Sequence, residues 1–411
     1  MPAPTRSLTP AAVHDHVRRH CFTPAAGPSG RVGVELELLT ATSDGTGRRP
    51  AATELFSLID GLALPKGGRL TVEPGGQIEL SSRPQLGAGA AVDATAADLG
   101  ALRAGLRAAG IRTTAAGLDS RPYERVVPAP RYEAMERYFD GDGGAGLAMM
   151  CGTASVQVNV DLGEPSAVAR RWRLAHAVGP VLVAAFANSP LAGGRPTGAR
   201  SSRQQLWGAL DPSRSAPALS VLPPADSWAR YALAARVMLV RAGPDHFPAV
   251  RSDLPFARWM AEGHELGYPT LDDLDYHLTT LFPPVRPKGW LELRMIDAVP
   301  DPWWQVAVAV TAALLDDPEA SARAERACRP VAGCWAQAAA HGLGHPGLAT
   351  AADACFAAAI DALPRLGVGR DTVAACEDFL DRYVGRRRCP GDDVVDAWRA
   401  GVRDMAAASR R

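Results

Sequence analysis

The chain has 411 residues, of which 47% are hydrophobic and 21% charged, and its 44 basic side chains balance 44 acidic ones. These are the proportions of an ordinary globular protein, and the balance leaves no global field that would favour nucleic acid or an anionic membrane. The length allows a large core, arranged as two or three domains or as one large fold.

Seven cysteines (Cys21, Cys151, Cys328, Cys334, Cys355, Cys376, Cys389) are scattered and form no C-x-x-C pair, so neither a zinc knuckle nor a disulfide framework is indicated. The stretch Met1–Cys21 lacks the apolar centre of a secretory signal. The longest apolar run, Leu174–Ala187, contains His176 and Pro180 and is too short to span a bilayer. A reduced, cytoplasmic protein is expected.

In chain order, alternating or β-branched runs predict strands at Arg31–Leu39, Arg69–Val72, Gln77–Ser82, Ile111–Ala115, Ala154–Val160 and Gly289–Asp297. Amphipathic stretches between them predict helices near Ala91–Ala109, Ser166–Ala187 and Trp228–Val240. Thr270, with Asp273 three residues later, predicts a capping box that opens a helix ending near Phe282, where Pro283-Pro284 removes donors. From Pro302 onward the chain reads as Ala-rich helices at roughly 303–316, 319–341, 348–362, 371–386 and 392–408. Segments 40–50, 189–203 and 211–227, rich in Gly, Pro and Ser, read as loops. Strands and helices do not alternate regularly, and no Gly-rich phosphate loop follows a strand. The expected class is therefore α+β, a sheet with helices on one side, with residues 1–300 as a mixed α+β region and 301–411 as a helical region packed on the same fold.

The charges on the strands carry the chemistry. In Gly33-Val34-Glu35-Leu36-Glu37-Leu38 the two acids share one face, about 7 Å apart along the strand. Taken alone, the pair reads equally as ordinary acids on a solvent-facing edge. Glu73-Pro74-Gly75-Gly76-Gln77-Ile78-Glu79 is a turn into a strand that again places Gln77 and Glu79 on one face; its glycines permit φ > 0 and close backbone approach to a ligand. Gln157 and Asn159 share a face of the next strand and require partners, from a ligand or a neighbouring strand, because an unpaired buried amide costs about 1–3 kcal/mol. Trp290-Leu291-Glu292-Leu293-Arg294 adds an acid and a base.

If all these side chains point into one cavity, four carboxylates meet one Arg, and the excess negative charge requires cations. Hard oxygen ligands without a Cys or His cluster favour Mg²⁺ or Mn²⁺ shared with phosphate groups. Arg203, in Arg200-Ser201-Ser202-Arg203, and Arg286, in Arg286-Pro287-Lys288, are either surface cations or clamps for carboxylate or phosphate. His277 reads as a packing histidine on a helix, and Cys151 as a small buried hydrophobe.

At these positions the chain resembles the glutamate–cysteine ligases, in particular their actinobacterial ergothioneine-pathway branch. The resemblance covers Gly33–Leu38, Glu73–Ser81, Met149–Asp161, Arg200–Asp211 and especially Asp273–Pro300, within roughly residues 30–310. It implies a fold like that of glutamine synthetase and the guanidino kinases, with a curved, mostly antiparallel sheet. It also implies ATP-dependent joining of the L-glutamate γ-carboxyl to the L-cysteine amine. On this resemblance Glu35, Glu37, Glu79 and Glu292 bind Mg²⁺, and Glu35 and Arg294 act in catalysis, Arg294 at the transferring phosphate. Gln157 and Asn159 sit at the metal–phosphate site, with Arg203 and Arg286 as further ATP or substrate contacts. Gln157 stands where other branches carry a His. The expected partners are small molecules alone, with no nucleic acid or membrane, and the enzyme is a monomer or homodimer. The alternatives are a ligase for another amine and a guanidino phosphotransferase.

Overall fold

The computed structural model describes residues 8–24, 27, 29–139, 144–250, 253–265 and 267–408, without the side chains of 403–408. Part of the Met1–Cys21 stretch, residues 1–7, lies outside them. Among the described residues ten strands form: β1 Arg31–Thr42, β2 Arg69–Val72, β3 Ile78–Ser81, β4 Gln85–Leu86, β5 Ile111–Thr114, β6 Ser155–Asp161, β7 Leu191–Ala192, β8 Arg195–Pro196, β9 Val285–Pro287 and β10 Trp290–Asp297. Eight of them make one open sheet with the path β2-β3-β1-β6-β10-β9, on which β4 and β5 also pair with β1; every pairing is antiparallel. The α+β expectation holds, except that helices flank both faces of the sheet rather than one.

Alternation along the central strands divides the sheet into two chemically different faces. Val34, Leu36, Leu38, Leu80, Val156, Val158, Val160, Leu291 and Leu293 are buried on one face. They pack against helices Ala88–Ala108, Val168–Ala185 and Trp303–Asp316 in a single continuous core. Helix Trp303–Asp316 is apolar on nearly every side because it is enclosed between the sheet and later helices. The apolar run at 174–187 lies in the buried helix Val168–Ala185 and the two residues that follow it, and among the described residues no helix is long and apolar enough to cross a membrane. The opposite face carries the charges and is flanked by helices Pro130–Phe139, Ala145–Gly152 and Ser202–Ala209.

Differences from expectation have local causes. The helix expected over 319–341 is two helices, Pro318–Cys328 and Trp335–His341, because Arg329-Pro330-Val331 forms a 3₁₀ turn in which Pro330 cannot donate to a helical bond. The helix expected at Trp228–Val240 begins earlier, at Pro224, where proline suits the first helical position, and ends at Ala234. Residues beyond it run extended, with Arg236 bridging to Pro255 and Leu239 to Ala249. The helix capped by Thr270 has its capping box but stops at Leu278. β9 lies in the Pro-rich segment that reads as a helix stop, and β1 extends to Thr42, into an expected loop.

Candidate active site

Directly opposed residues on antiparallel strands share a face, and the register brings the charged residues into rows. Glu37 is opposite Glu79, which is opposite Thr71; Glu35 lies between Ser81 and Gln157; Asn159 lies between Gly33 and Glu292, which is opposite Arg286. Glu35, Glu37, Glu79, Gln157, Arg286, Glu292 and Arg294 thereby line one cleft of about 540 Å³, with Glu73 and Lys288 and with Tyr132, Met149, Trp207 and Phe282 on its apolar walls. That volume is in the range of small-molecule sites.

The two amides satisfy themselves on the strand acids. Gln157 Nε2 donates to Glu37 (2.9 Å), and Gln157 Oε1 accepts from Arg294 Nη1 (2.7 Å). Asn159 Nδ2 donates to Glu35 (2.9 Å), and Asn159 Oδ1 accepts from Trp290 Nε1 (3.0 Å). This arrangement fixes which nitrogen and which oxygen of each amide faces the acid.

Charge is segregated within the cleft. Glu292 is fully buried, and its oxygens take Arg286 Nε (2.6 Å), Arg294 Nη1 (3.0 Å) and Lys288 Nζ (3.2 Å). Burial alone would raise its pKa, but these three cations outweigh burial and hold Glu292 well below the usual carboxylate range. Glu35, Glu37, Glu73 and Glu79 form no such ion pair among the described residues. Burial, reinforced by the neighbouring carboxylates, pushes Glu35 up to about 7 and Glu73 up to about 8, and it raises Glu37 and Glu79 as well. One half of the cleft is thus a group of acids with no ion pair of their own, and the other an acid already surrounded by bases.

Not every expected residue reaches the cleft. Arg203 is 4% exposed and lies behind Arg294, where its Nη2 donates to the Arg294 carbonyl (2.9 Å). It does not line the cleft, because the helix that carries it packs beside β10. Arg200, in the same motif, pairs with Asp392 (2.8 Å) outside the site. The expected close approach at Gly75-Gly76 is to protein rather than ligand: a Cβ on Gly75 would come within 2.1 Å of the Cys151 carbonyl oxygen, while Gly76 supplies the positive φ (+84°) of the turn. His277 is a packing residue, stacked on Phe256 and bonded to the Ala232 carbonyl, and burial lowers it to about 3. Cys151 is buried, and burial pushes its thiol up to about 12.

Two residues escaped the sequence reading. Glu73 continues the parity of Arg69 and Thr71 one step beyond β2 and lines the cleft; that parity was the available signal. Asp297 has the opposite parity from Glu292 and Arg294, yet a bulge between Leu293 and Ile296 puts it opposite Ser155, in phase with Gln157 and Asn159. No sequence signal marks that bulge.

The donor set is all oxygen and suits a hard divalent cation. Among the described residues no three acidic, His or Cys side chains already converge as a metal shell. A cation would therefore take one or two carboxylates and complete its coordination elsewhere, as Mg²⁺ does with phosphates and water. The adjoining bases suit phosphate oxygens.

A family model described as glutamate–cysteine ligase family 2 (GCS2) matches residues 31–400. The chain is 47% identical over 392 residues to the glutamate–cysteine ligase EgtA of Mycolicibacterium smegmatis, covering 93% of this chain and 90% of that protein. It is 43% identical over 386 residues to EgtA of Mycobacterium tuberculosis, covering 91% and 88%. Among solved structures, the glutamate–cysteine ligase of Francisella tularensis in complex with AMP aligns with a TM-score of 0.50 over 92% of this chain and 86% of that one; at 11% identity it speaks to the fold alone.

Proposed function

The chain belongs to the glutamate–cysteine ligase family 2, and from that membership we propose that it joins the γ-carboxyl of L-glutamate to the amine of L-cysteine at the expense of ATP, supplying γ-glutamylcysteine for ergothioneine biosynthesis. The observation that carries the reading is the division of one sheet face into four acids with no ion pair of their own and an acid held by three bases. Mg²⁺ or Mn²⁺ ions would be shared among Glu35, Glu37 and Glu79, each taking one or two of these carboxylates, with Glu73 beside them, and would supply charge neutralisation for the ATP phosphates. Glu292 belongs to the same charge system. Incoming phosphates would compete for Arg286, Lys288 and Arg294 and release an oxygen of Glu292 for the metal.

In this mechanism the glutamate γ-carboxylate attacks the ATP γ-phosphorus, and ADP leaves. The cysteine amine then attacks the acyl carbon of γ-glutamyl phosphate, the C–O bond to phosphate breaks, and the amine loses a proton. Phosphoryl transfer asks for positioning and charge stabilisation rather than for a protein nucleophile. Arg294, held on Gln157 and Glu292, is suited to the charge that develops on the transferring phosphoryl group. Asn159 keeps Glu35 oriented, and Arg286 contributes a second guanidinium. The reading includes a cytoplasmic enzyme, monomeric or homodimeric, in which 1–300 supplies the site and 301–411 supports it.

The test is ADP release with Mg-ATP, glutamate and a panel of amines, with product mass. Release that depends on both glutamate and cysteine and yields γ-glutamylcysteine is the expected result. A different preferred amine reassigns the acceptor. Phosphorylation of a guanidino compound, without amide formation, sinks the ligase reading.

A further inference from the structure

We propose that Arg203 and Asp297 are positioning residues that aim Arg294, an inference resting on the reading that Arg294 meets the transferring phosphate. The bulge in β10 spans Leu293 to Ile296 while β6 advances only from Val158 to Val156, so Arg294 lies outside regular pairing with β6. Both of its backbone groups nevertheless have partners. The Arg294 N–H donates to the Pro284 carbonyl (2.9 Å), and its carbonyl accepts from Arg203 Nη2 (2.9 Å). With the backbone pinned on both sides, the Arg294 guanidinium reaches Gln157 and Glu292 together.

Arg203 is fixed from behind. Its Nη1 lies 3.7 Å from Asp297, which is 1% exposed, and its backbone N–H donates to Ser189 Oγ (3.0 Å). Asp297 accepts from Ser189 Oγ (2.6 Å), from Ser201 Oγ (2.9 Å) and from the Asn188 N–H (2.8 Å). Ser201 in turn caps the helix that begins at Ser202 and carries Arg203. One buried carboxylate therefore ties the strand that bears Arg294 to the helix whose guanidinium clamps it. A charge buried this deeply is costly unless paired, which gives the pair a fixed geometry. Neither residue lines the cleft; Arg203 also attracts the buried Glu37 carboxylate, and Arg203→Lys keeps that charge while losing the fork that holds the Arg294 carbonyl.

The test compares Arg203→Lys, Arg203→Met and Asp297→Asn with the unaltered enzyme. We expect kcat for ADP formation to fall ~10- to 100-fold, as for lost outer supports of a reacting group, with KM for glutamate and Mg-ATP changed by less than about threefold. Lysine retains charge without the planar fork and should recover part of what methionine loses. Each substitution should add almost nothing in an Arg294→Lys background, because both act on the same group. A raised KM with unchanged kcat, or losses that add to those of Arg294→Lys, overturns the assignment. Should Arg203→Met not fold, the lysine and asparagine variants carry the same comparison. An unaltered enzyme that forms no ADP with any amine sinks the ligase reading instead. Positioning is then judged by crystal structures of the unaltered protein and Arg203→Lys: Arg294 leaving Gln157 supports it, and Arg294 unmoved overturns it.

Discussion

Glu37 on β1 and Glu79 on β3 stand directly opposite each other in an antiparallel register, on the face that lines the cleft. Like charges in that position destabilise a sheet, and burial raises the pKa of both. The fold therefore maintains an arrangement that weakens it when no cation is bound.

That tension should be visible as a pH-dependent stability. Glu35 and Glu73 rise from an ordinary 4.5 to about 7 and about 8, so the folded protein holds protons that the unfolded chain has already lost. Their contribution is complete below about pH 4.5 and is lost as the pH rises through their folded values. In chelator at about pH 8.5, Glu35→Gln should be more stable than the unaltered protein by on the order of 1–3 kcal/mol, with the difference shrinking as the pH falls and closing below about pH 4.5. Added Mg²⁺ should stabilise the unaltered protein far more at the higher pH. Thermal unfolding measures both effects, and a magnesium response independent of pH would contradict the account.

Two glutamate variants should separate function from stability. Glu35→Gln removes a repelled carboxylate and Glu292→Gln removes one held by three cations, and both should abolish ADP formation. Only Glu292→Gln should lower stability, by about 3–5 kcal/mol, because it leaves buried cations uncompensated. Urea denaturation alongside the ADP assay decides this. Full activity in either variant removes the central role given to these acids.

Gly75 and Gly100 should respond to alanine with opposite signs. A Cβ on Gly75 meets the Cys151 carbonyl, so Gly75→Ala should cost about 1–3 kcal/mol and displace Glu73 and Glu79, with loss of activity. Gly100, within helix Ala88–Ala108, has nothing within 4 Å of that position, so Gly100→Ala should stabilise by about 0.5–1 kcal/mol and leave activity unchanged. Equal melting temperatures for the two variants would refute the close-contact argument.

Thr270 caps its helix through Thr270 Oγ1, which accepts from the Asp273 N–H (3.2 Å), while Asp273 Oδ2 accepts from the Thr270 N–H (2.8 Å). Thr270→Ala should cost about 1 kcal/mol, read from the urea midpoint, and Thr270→Ser should restore most of it. If serine is no better than alanine, the cap is not the source of the loss.

The sequence carried most of the strands, because two-residue alternation at Arg31–Thr42, Ile78–Ser81, Ser155–Asp161 and Trp290–Asp297 reflects one buried and one charged face. It carried Glu35, Glu37, Glu79, Gln157, Asn159, Glu292 and Arg294 for the same reason, since parity within each strand decides which residues can meet. It named Arg203 as an ATP or substrate contact but could not place it behind Arg294 rather than in the cleft, because that depends on how its helix packs against β10. Nor could it reveal the short strand β9, whose Val285-Arg286-Pro287 is extended only through its pairing with β10.

What the sequence determined by itself was local: alternation, the Thr270 cap, the proline stops and the types of charge available to the site. Tertiary structure decided their relationships. Register set Glu37 against Glu79 and gave Glu292 three cations of its own, turning an expected uniform group of acids into two electrostatically different halves. The bulge changed the phase of β10 and brought Asp297 to the side from which Arg203 holds Arg294. Parity is a property of one strand, whereas register and bulges arise only where two strands meet, so a single chain read residue by residue does not contain them.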